Sequence, residues 1–326
     1  MNPELVKRLD LFVGNVKGIK KSFPWQEPMA KRLAALVYAL DARELDAAAL
    51  AKCHRMIKEQ TGIFSTFRGN LSVYLAAMLA LSDDPQERLG DTLSVYHMLK
   101  GEKFRTSDYL IAAAYEIASQ AKREDFAQVV RRTRAFFEGM RANNRWLVCA
   151  DDYIYSAMLA LSGLDVDEGC EMISKIYAYL KSNFPFTLSR NCQMHLAQIM
   201  VLGEKTQQCV DNLIHLNRVL RSHKIRLDRS MVLPSLGILS MLNANPDTLA
   251  GDIIAAVDFL RAQKGFGRLS ISQAEITMQA VSLISNSELS KTALSTAVTN
   301  IIIAQQTAMM VAIITASTAA TSAAAV

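Results

Sequence analysis

The stretch SAMLALS, from Ser156 to Ser162, decides the fold, because a run of small and leucine side chains ends there in a polar turn. Similar apolar runs, each followed by a polar residue or a glycine, lie at 34–40, 76–81, 112–118, 196–202, 237–242 and 279–284. Their spacing of roughly 41 residues is typical of two-helix repeats. The sequence therefore predicts tandem helical hairpins, with each apolar run in the first helix of a pair.

The second helix of each pair is predicted from bulkier apolar residues at helical spacing. Leu93, Tyr96 and Leu99 illustrate the pattern, since residues three or four apart share one face of a helix. Small side chains on the first helix let two backbones approach closely, and the larger side chains fill the groove between them. A hairpin of this kind buries its apolar face only against a neighbour, so we expect the hairpins to stack.

The predicted fold class is all-α. Roughly seven hairpins occupy residues 1–290 and form a right-handed α/α superhelix or a closed α/α toroid, followed by an apolar C-terminal helix in 291–326. Apolar residues make up 51% of the 326 residues, with only 14 glycines and 7 prolines. No segment shows the sustained alternation of a β-strand, so the composition and the pattern agree.

The C-terminal segment has no charged side chain after Lys291. It is long enough to cross a bilayer, which takes about 20 mostly apolar residues. However, Asn300, Gln305 and Gln306 would lie near the middle of such a span. We expect a helix that is buried against the array or closes it. Membrane association through 292–320 and an oligomer contact are the alternatives, because an apolar helix must be covered by something.

The cysteines and the start of the chain favour a cytoplasmic protein. Residues 1–7 lack the apolar stretch and the cleavage site of a secretory signal. The five cysteines are odd in number and scattered through predicted helices, which is typical of reduced thiols used as small core side chains. Cys53 beside His54, and Cys192 near His195, lack the paired spacing of a structural zinc site. We therefore expect no metal and no cofactor.

Charge argues against nucleic acid as a partner. The net charge is only +5, and the basic residues cluster at one predicted helix end, at Arg218, Arg221, His223, Lys224, Arg226 and Arg229. Cations favour the carboxyl end of a helix, where unpaired carbonyls carry partial negative charge. We interpret the cluster as a solvated helix end, with an anion or nucleic-acid contact as the alternative.

The predicted starts of the first helices form the candidate site. Ser, Thr, Asp and Asn recur there, and most are explained as helix caps. In a regular array these starts would line one rim, where helix N-termini and guanidinium groups would both attract an anion. The candidate ligand-binding residues are Arg68, Asp108, Tyr109, Asp151, Asp152, Tyr153, Arg190 and Arg229. The expected ligand is a protein, a peptide or an anionic small molecule.

Catalytic signatures are missing from the sequence. It contains no phosphate-binding glycine loop, no Gly-x-Ser-x-Gly turn and no His-Glu-x-x-His helix. His54, His97, His195 and His215 fall in apolar helices and are interpreted as packed or capping side chains. The catalytic residues of the alternative, an enzyme with a central cavity, would be Asp151, Asp152 and Tyr109 or Tyr153.

Two linkers resemble the repeat signature of α/α toroids of the terpenoid cyclase and prenyltransferase type. In 58–64 and 261–267, glutamine, glycine and phenylalanine follow a predicted helix. In such toroids the glutamine ties one helix end to the next helix start, and the ring fills the gap. The resemblance implies a curved or closed array. It implies no chemistry, because the Asp-x-Asp-Asp motif of those enzymes is absent.

A second resemblance covers essentially the whole chain. It is carried in combination by 23–33, 61–69, 107–110, 151–153, 233–237, 263–267 and 301–306. Together these segments resemble the bacterial family catalogued as "domain of unknown function 4003". The resemblance implies a bacterial, cytoplasmic, single-unit protein and supplies no catalytic residue. The function predicted from the sequence is therefore that of a non-enzymatic binding module, with a cavity enzyme and a tail-anchored scaffold as alternatives.

Overall fold

The computed structural model of the protein describes residues 1–69, 71–183, 190–202, 206–227, 232–242 and 244–289. Within these ranges the chain forms fourteen α-helices and no β-strand, which confirms the all-α prediction. The helices are α1 (Pro3–Ser22), α2 (Pro28–Leu40), α3 (Ala47–Gln60), α4 (Ser72–Leu81), α5 (Pro85–Gly101), α6 (Asp108–Gln120), α7 (Phe126–Asn144), α8 (Tyr153–Leu161), α9 (Val166–Asn183), α10 (Arg190–Leu202), α11 (Thr206–Ser222), α12 (Leu233–Met241), α13 (Pro246–Arg261) and α14 (Gln273–Leu289).

The described chain divides into two compact units. The first comprises Met1–Gly90 and the described part of Gly251–Ser290, and the second comprises Asp91–Ala250. In the first unit α1 packs on α2 and α14, and α4 packs on α2 and α3. Its core includes Phe12, whose ring meets that of Phe266 edge to face at 5.6 Å between centroids.

The second unit holds the residues of functional interest. Here α7 packs on α8 and α9, while α10 packs on α8, α9 and α12. Close approach depends on glycine where α7 meets α9, because a Cβ on Gly139 would lie 2.6 Å from the Sγ of Cys170. The apolar stretch from Ser156 to Leu161 forms most of α8, which is buried from Tyr153 to Ala160. This helix is therefore covered on all sides, as its composition predicts.

Local hydrogen bonds explain where several helices begin. Asp46, Asp84, Asp165 and Asn245 immediately precede α3, α5, α9 and α13. Each side chain accepts hydrogen bonds from the backbone N–H groups two and three residues further on, at 2.9–3.2 Å. These bonds satisfy N–H groups that have no partner inside the helix.

Arginine rather than glutamine holds the second toroid-like linker together. Gln263, which lies just beyond the end of α13, donates to the carbonyl oxygen of Phe259 in that helix, at 3.4 Å. Arg261 donates to the carbonyl oxygens of Phe266 and Ile271, both at 2.9 Å. The closed toroid and the hairpin repeat both stay predictions.

The predicted C-terminal segment, 291–326, lies outside the described residues. The burial, membrane and oligomer interpretations of this tail therefore stay predictions, as does the division of the chain at residue 290. In the part of the chain that the structure describes, no helix combines the length and the apolar character that crossing a membrane requires.

Candidate functional site

The predicted rim residues fall in different parts of the chain. Arg68 belongs to the first unit, and Arg229 lies outside the described residues. The second unit contains Asp108, Tyr109, Asp151, Asp152, Tyr153 and Arg190. Whether these positions share one ligand-binding rim therefore stays a prediction.

Arg68 is occupied by the end of a helix. Its guanidinium donates to the carbonyl oxygens of Lys58 and Thr61, and to the Thr61 hydroxyl at 3.4 Å. The Lys58 carbonyl belongs to the last turn of α3 and the Thr61 carbonyl to the residue that follows it, where no N–H group of the helix can reach them. The structural role of Arg68 is thus to cap α3.

The start of α6 has an ordinary cap. The Ser107 side chain accepts from the N–H of Leu110 at 3.2 Å, and Asp108 follows as the first helical residue. Burial raises the pKa of the Asp108 carboxyl above its usual value. Arg190, at the start of α10, is exposed.

Asp151 and Asp152 lie in a short 3₁₀ helix, Ala150–Asp152, that leads into α8. Asp152 is completely buried. One carboxylate oxygen, Oδ2, accepts from the N–H of Cys149 at 2.8 Å, and the other, Oδ1, accepts from the Nε2 amide of Gln198 at 2.6 Å. Burial raises the pKa of Asp152, and the negative charge of Asp151 acts in the same direction. Such a carboxylate needs compensation by nearby positive charge.

His195 supplies an imidazole directly opposite these two carboxylates. Its Nε2 lies 3.5 Å from Oδ2 of Asp151 and 3.5 Å from Oδ1 of Asp152. The ring stacks on Tyr155 with 4.7 Å between centroids, and the residue is only 8% exposed. Among the described residues this buried nitrogen has no hydrogen-bond partner. We call Asp151, Asp152 and His195 the Asp–His cluster.

His195 and Gln198 are the residues of this arrangement that sequence analysis missed. His195 was interpreted as a packed side chain because the surrounding helix is apolar. The two residues are three positions apart, so they share one face of α10. A polar pair on one face of a helix that is buried from Gln193 to Leu202 is the signal that would have found them.

A basic pocket of about 500 Å³ lies beside Tyr153. It is lined by Lys103, Arg105, Arg134, Phe137, Arg141, Arg145, Trp146, Val148, Cys149, Ala150 and Tyr153. Tyr153 is buried between Phe104 and Phe137, and its hydroxyl accepts from the N–H of Arg105 at 3.3 Å. Five of the described lining residues carry a positive side chain and none is acidic. We refer to this cavity as the basic pocket.

Aromatic rings support three of the guanidinium groups. The Cζ atom of Arg134 lies 5.7 Å from the Phe137 ring centroid, and that of Arg141 lies 5.6 Å from the same centroid. Arg145 lies over the ring of Trp146 at 5.9 Å. A guanidinium held by its face keeps its N–H edge available for hydrogen bonds.

The thiol of Cys149 adjoins both features but is not activated. Burial raises its pKa, and the carboxylates of Asp151 and Asp152 add to the effect, while Arg141 opposes it. A thiol with a raised pKa stays protonated near neutral pH and is a poor nucleophile.

The family model described as "Protein of unknown function (DUF4003)" matches residues 15–317, which is most of the chain. The chain belongs to this family. The resemblance to the family of unknown function 4003, inferred from the sequence, is therefore confirmed. No curated protein and no solved structure matches the chain. In this DUF4003 protein the Asp–His cluster and the basic pocket both lie inside the matched range.

Proposed function

We propose that this DUF4003 protein is a helical-repeat binding module that takes an anionic ligand in the basic pocket. Two observations support the repeat. The capping residues Asp46, Asp84, Asp165 and Asn245 recur at intervals of about 40 residues or twice that, the period of helical-hairpin arrays. Each of them precedes the second helix of a predicted hairpin.

The basic pocket is the observation that carries the functional proposal. Lys103, Arg105, Arg134, Arg141 and Arg145 bring five positive side chains around one cavity. Like charges this close together repel each other, and the repulsion is larger beside protein than in open water. An anion bound in the pocket removes that repulsion. Glu138 forms an ion pair with Arg134. The other four basic side chains still give the pocket an excess of positive charge.

Arg141 is the best-placed donor for the ligand. Its Nε is buried and has no hydrogen-bond partner in the described part of the chain. A buried donor without a partner costs on the order of 1–3 kcal/mol, more when it is charged. An oxyanion bound beside Arg141 would accept from its guanidinium and offset its positive charge through a charge-assisted hydrogen bond.

The pocket also indicates the size and shape of the ligand. Its volume of about 500 Å³ suits a small organic molecule. Trp146 is 88% exposed at the pocket wall, so its ring offers a free face for stacking. We therefore infer a ligand that combines a phosphate or carboxylate group with a flat ring.

Tryptophan fluorescence provides the test. The chain has two tryptophans, so a Trp25→Phe variant leaves Trp146 as the single reporter. This variant is titrated with inorganic phosphate, citrate, phenyl phosphate and ATP. We expect ATP or phenyl phosphate to bind more tightly than inorganic phosphate, and binding to weaken as salt is added, because exposed charges are screened.

Two arginine variants on α7 distinguish specific binding in the pocket from non-specific attraction of an anion to positive charge. Arg141→Met is expected to lower the affinity about 10-fold or more, since one charge-assisted hydrogen bond contributes roughly 1.5–3 kcal/mol. Arg131→Met removes an exposed charge of the same helix that does not line the pocket, and should leave the affinity unchanged. Failure of all four anions to bind would refute the proposal, and so would an equal loss in both variants.

The alternatives from the sequence analysis stay predictions. A cavity enzyme would need a nucleophile or base in the pocket, and the protonated thiol of Cys149 does not supply one. The membrane-scaffold alternative concerns the tail, which lies outside the described residues.

A further inference from the structure

The Asp–His cluster is separate from the basic pocket and has a different chemistry. The donor atoms that Asp151, Asp152 and His195 offer all lie within 4.8 Å of one another. The geometry points to a binding site for a divalent transition-metal ion of the zinc type, held by two carboxylate oxygens and one imidazole nitrogen.

The distances fit the proposed ion. Zinc binds nitrogen at about 2.0–2.1 Å and carboxylate oxygen at about 2.0–2.2 Å, so two ligands of a tetrahedral site lie about 3.4 Å apart. The His195 Nε2 lies 3.5 Å from each of the two carboxylate oxygens. These two separations are too long for hydrogen bonds of good geometry but match two edges of a coordination tetrahedron. The oxygens of the two carboxylates lie within 4.8 Å of each other, and binding of the ion would set this third edge at about 3.4 Å.

The unpaired nitrogen is the second observation. His195 is more than nine-tenths buried, and its Nε2 has no hydrogen-bond partner among the described residues although two carboxylates face it. A buried polar atom without a partner is uncommon in folded proteins. A metal ion between the three side chains would give this nitrogen a partner and would neutralise the two adjacent carboxylates.

The groups around the cluster are arranged as supports for metal ligands. The Gln198 amide and the Cys149 N–H bond the two oxygens of Asp152 and so fix its orientation. An ionised carboxylate oxygen has two acceptor sites, so Oδ1 can bind an ion as well as the amide. The Oε1 atom of Gln198 is buried without a partner in the described chain. It could therefore accept a hydrogen bond from a water molecule bound to the metal.

The donor set selects the class of ion. Imidazole suits zinc and its first-row neighbours, whereas magnesium and calcium prefer sites made of oxygen alone. Three protein ligands leave one tetrahedral position open for water or for a ligand atom, as at catalytic rather than structural zinc sites. Asp151 is partly exposed, so the site has a route to solvent.

Cobalt binding tests the assignment, because Co²⁺ substitutes for Zn²⁺ and absorbs visible light when bound with low coordination number. The full-length chain is freed of metal with a chelator, dialysed, and titrated with Co²⁺. We expect one Co²⁺ per chain, with visible absorption bands of a four- or five-coordinate ion, and displacement of the cobalt by Zn²⁺ but not by Mg²⁺.

Three variants locate the site. Asp151→Asn replaces a charged carboxylate ligand by a weaker neutral amide, and His195→Leu removes the imidazole ligand. Each should weaken binding by about 100-fold or more, since even supporting residues contribute 10–100-fold. His223→Gln is the matched control, because His223 also faces a carboxylate, that of Asp247 at 3.3 Å, but at an exposed position with a single acid. It should bind cobalt like the unaltered protein.

The proposal is overturned if the unaltered protein binds neither Co²⁺ nor Zn²⁺ at tens of micromolar. It is also overturned if Asp151→Asn binds cobalt as tightly as the unaltered chain. Asp151 is the more exposed ligand, so this variant decides the question even where His195→Leu fails to fold, as judged by circular dichroism.

Discussion

Separating the buried pair of Arg32 and Glu275 should destabilise the first unit by about 3–5 kcal/mol. Arg32 of α2 donates from Nε to Oε1 of Glu275 in α14 at 2.7 Å, and from Nη2 to Oε2 at 3.2 Å. The two side chains are only 10% and 5% exposed. Gln279 also donates to Oε1 of Glu275, at 3.2 Å. The carboxylate therefore has three hydrogen bonds, two of them from the guanidinium.

The size of the effect follows from this geometry. Arg32→Met removes two charge-assisted hydrogen bonds and leaves a buried carboxylate with Gln279 as its remaining donor. Loss of one partner of a buried ion pair costs about 3–5 kcal/mol, because the charge left behind stays out of water without compensation. Glu275→Leu should cost a similar amount. The double variant leaves no uncompensated charge and should cost no more than either single variant, so the coupling free energy is at least about 3 kcal/mol.

The free energies are measured by urea unfolding at pH 7. Unfolding is followed by circular dichroism, which reports on the helices of the whole chain. The matched control is Lys175→Met, which breaks the exposed pair of Lys175 and Glu171 and should cost less than about 1 kcal/mol. If the losses of the two single variants simply add in the double variant, the pair is not coupled and the reasoning is wrong.

Three further predictions concern stability. Gly139→Ala should destabilise the chain by about 1–3 kcal/mol, since the new Cβ would meet the buried Sγ of Cys170. A Cβ on Gly14 meets nothing within 4 Å, so Gly14→Ala should stabilise the chain by up to about 1 kcal/mol. Urea unfolding checks both, because the two variants should shift the midpoint in opposite directions. Asp46→Ala removes the cap of α3 and should cost about 1 kcal/mol, seen as a lower melting temperature; no change would contradict the capping role. Burial lowers the pKa of His54 to about 4, below the ordinary value of about 6.5, so the unfolded chain binds the extra proton first. The free energy of unfolding should therefore fall by on the order of 2 kcal/mol as the pH drops from about 6.5 to 4. If a His54→Gln variant loses as much stability over the same pH range, His54 is not the cause.

Local patterns predicted much of the helix content correctly. The run from Ser156 to Leu161 lies in α8, and Ser107 caps α6 as its position before the helix indicates. Both predictions depend on neighbours within four residues, and such interactions can be read from sequence. The rim residue Arg68 illustrates the limit, because its partners at the end of α3 depend on the path of the linker.

Sequence analysis identified some residues of the two candidate sites and missed others. Asp151, Asp152 and Tyr153 stood out as a polar start before an apolar helix, and the structure brings Asp151 and Asp152 to the Asp–His cluster and Tyr153 to the basic pocket. His195 gave no comparable signal, since a histidine in an apolar helix is usually a packed side chain. Its meeting with the two carboxylates requires α8 to pack against α10.

The amino-acid sequence by itself determined that this chain is helical, where several helices begin and to which family it belongs. These properties depend on periodicity, on caps and on residue types, all of which act over a few positions or are compared position by position. Only the tertiary structure decided which imidazole faces the buried carboxylates, and which arginines surround one cavity. The physical reason is that packing between helices far apart in the sequence brings such groups together. The free energy of that packing comes from burial of apolar surface, which is non-directional and could be achieved by many arrangements of the same helices.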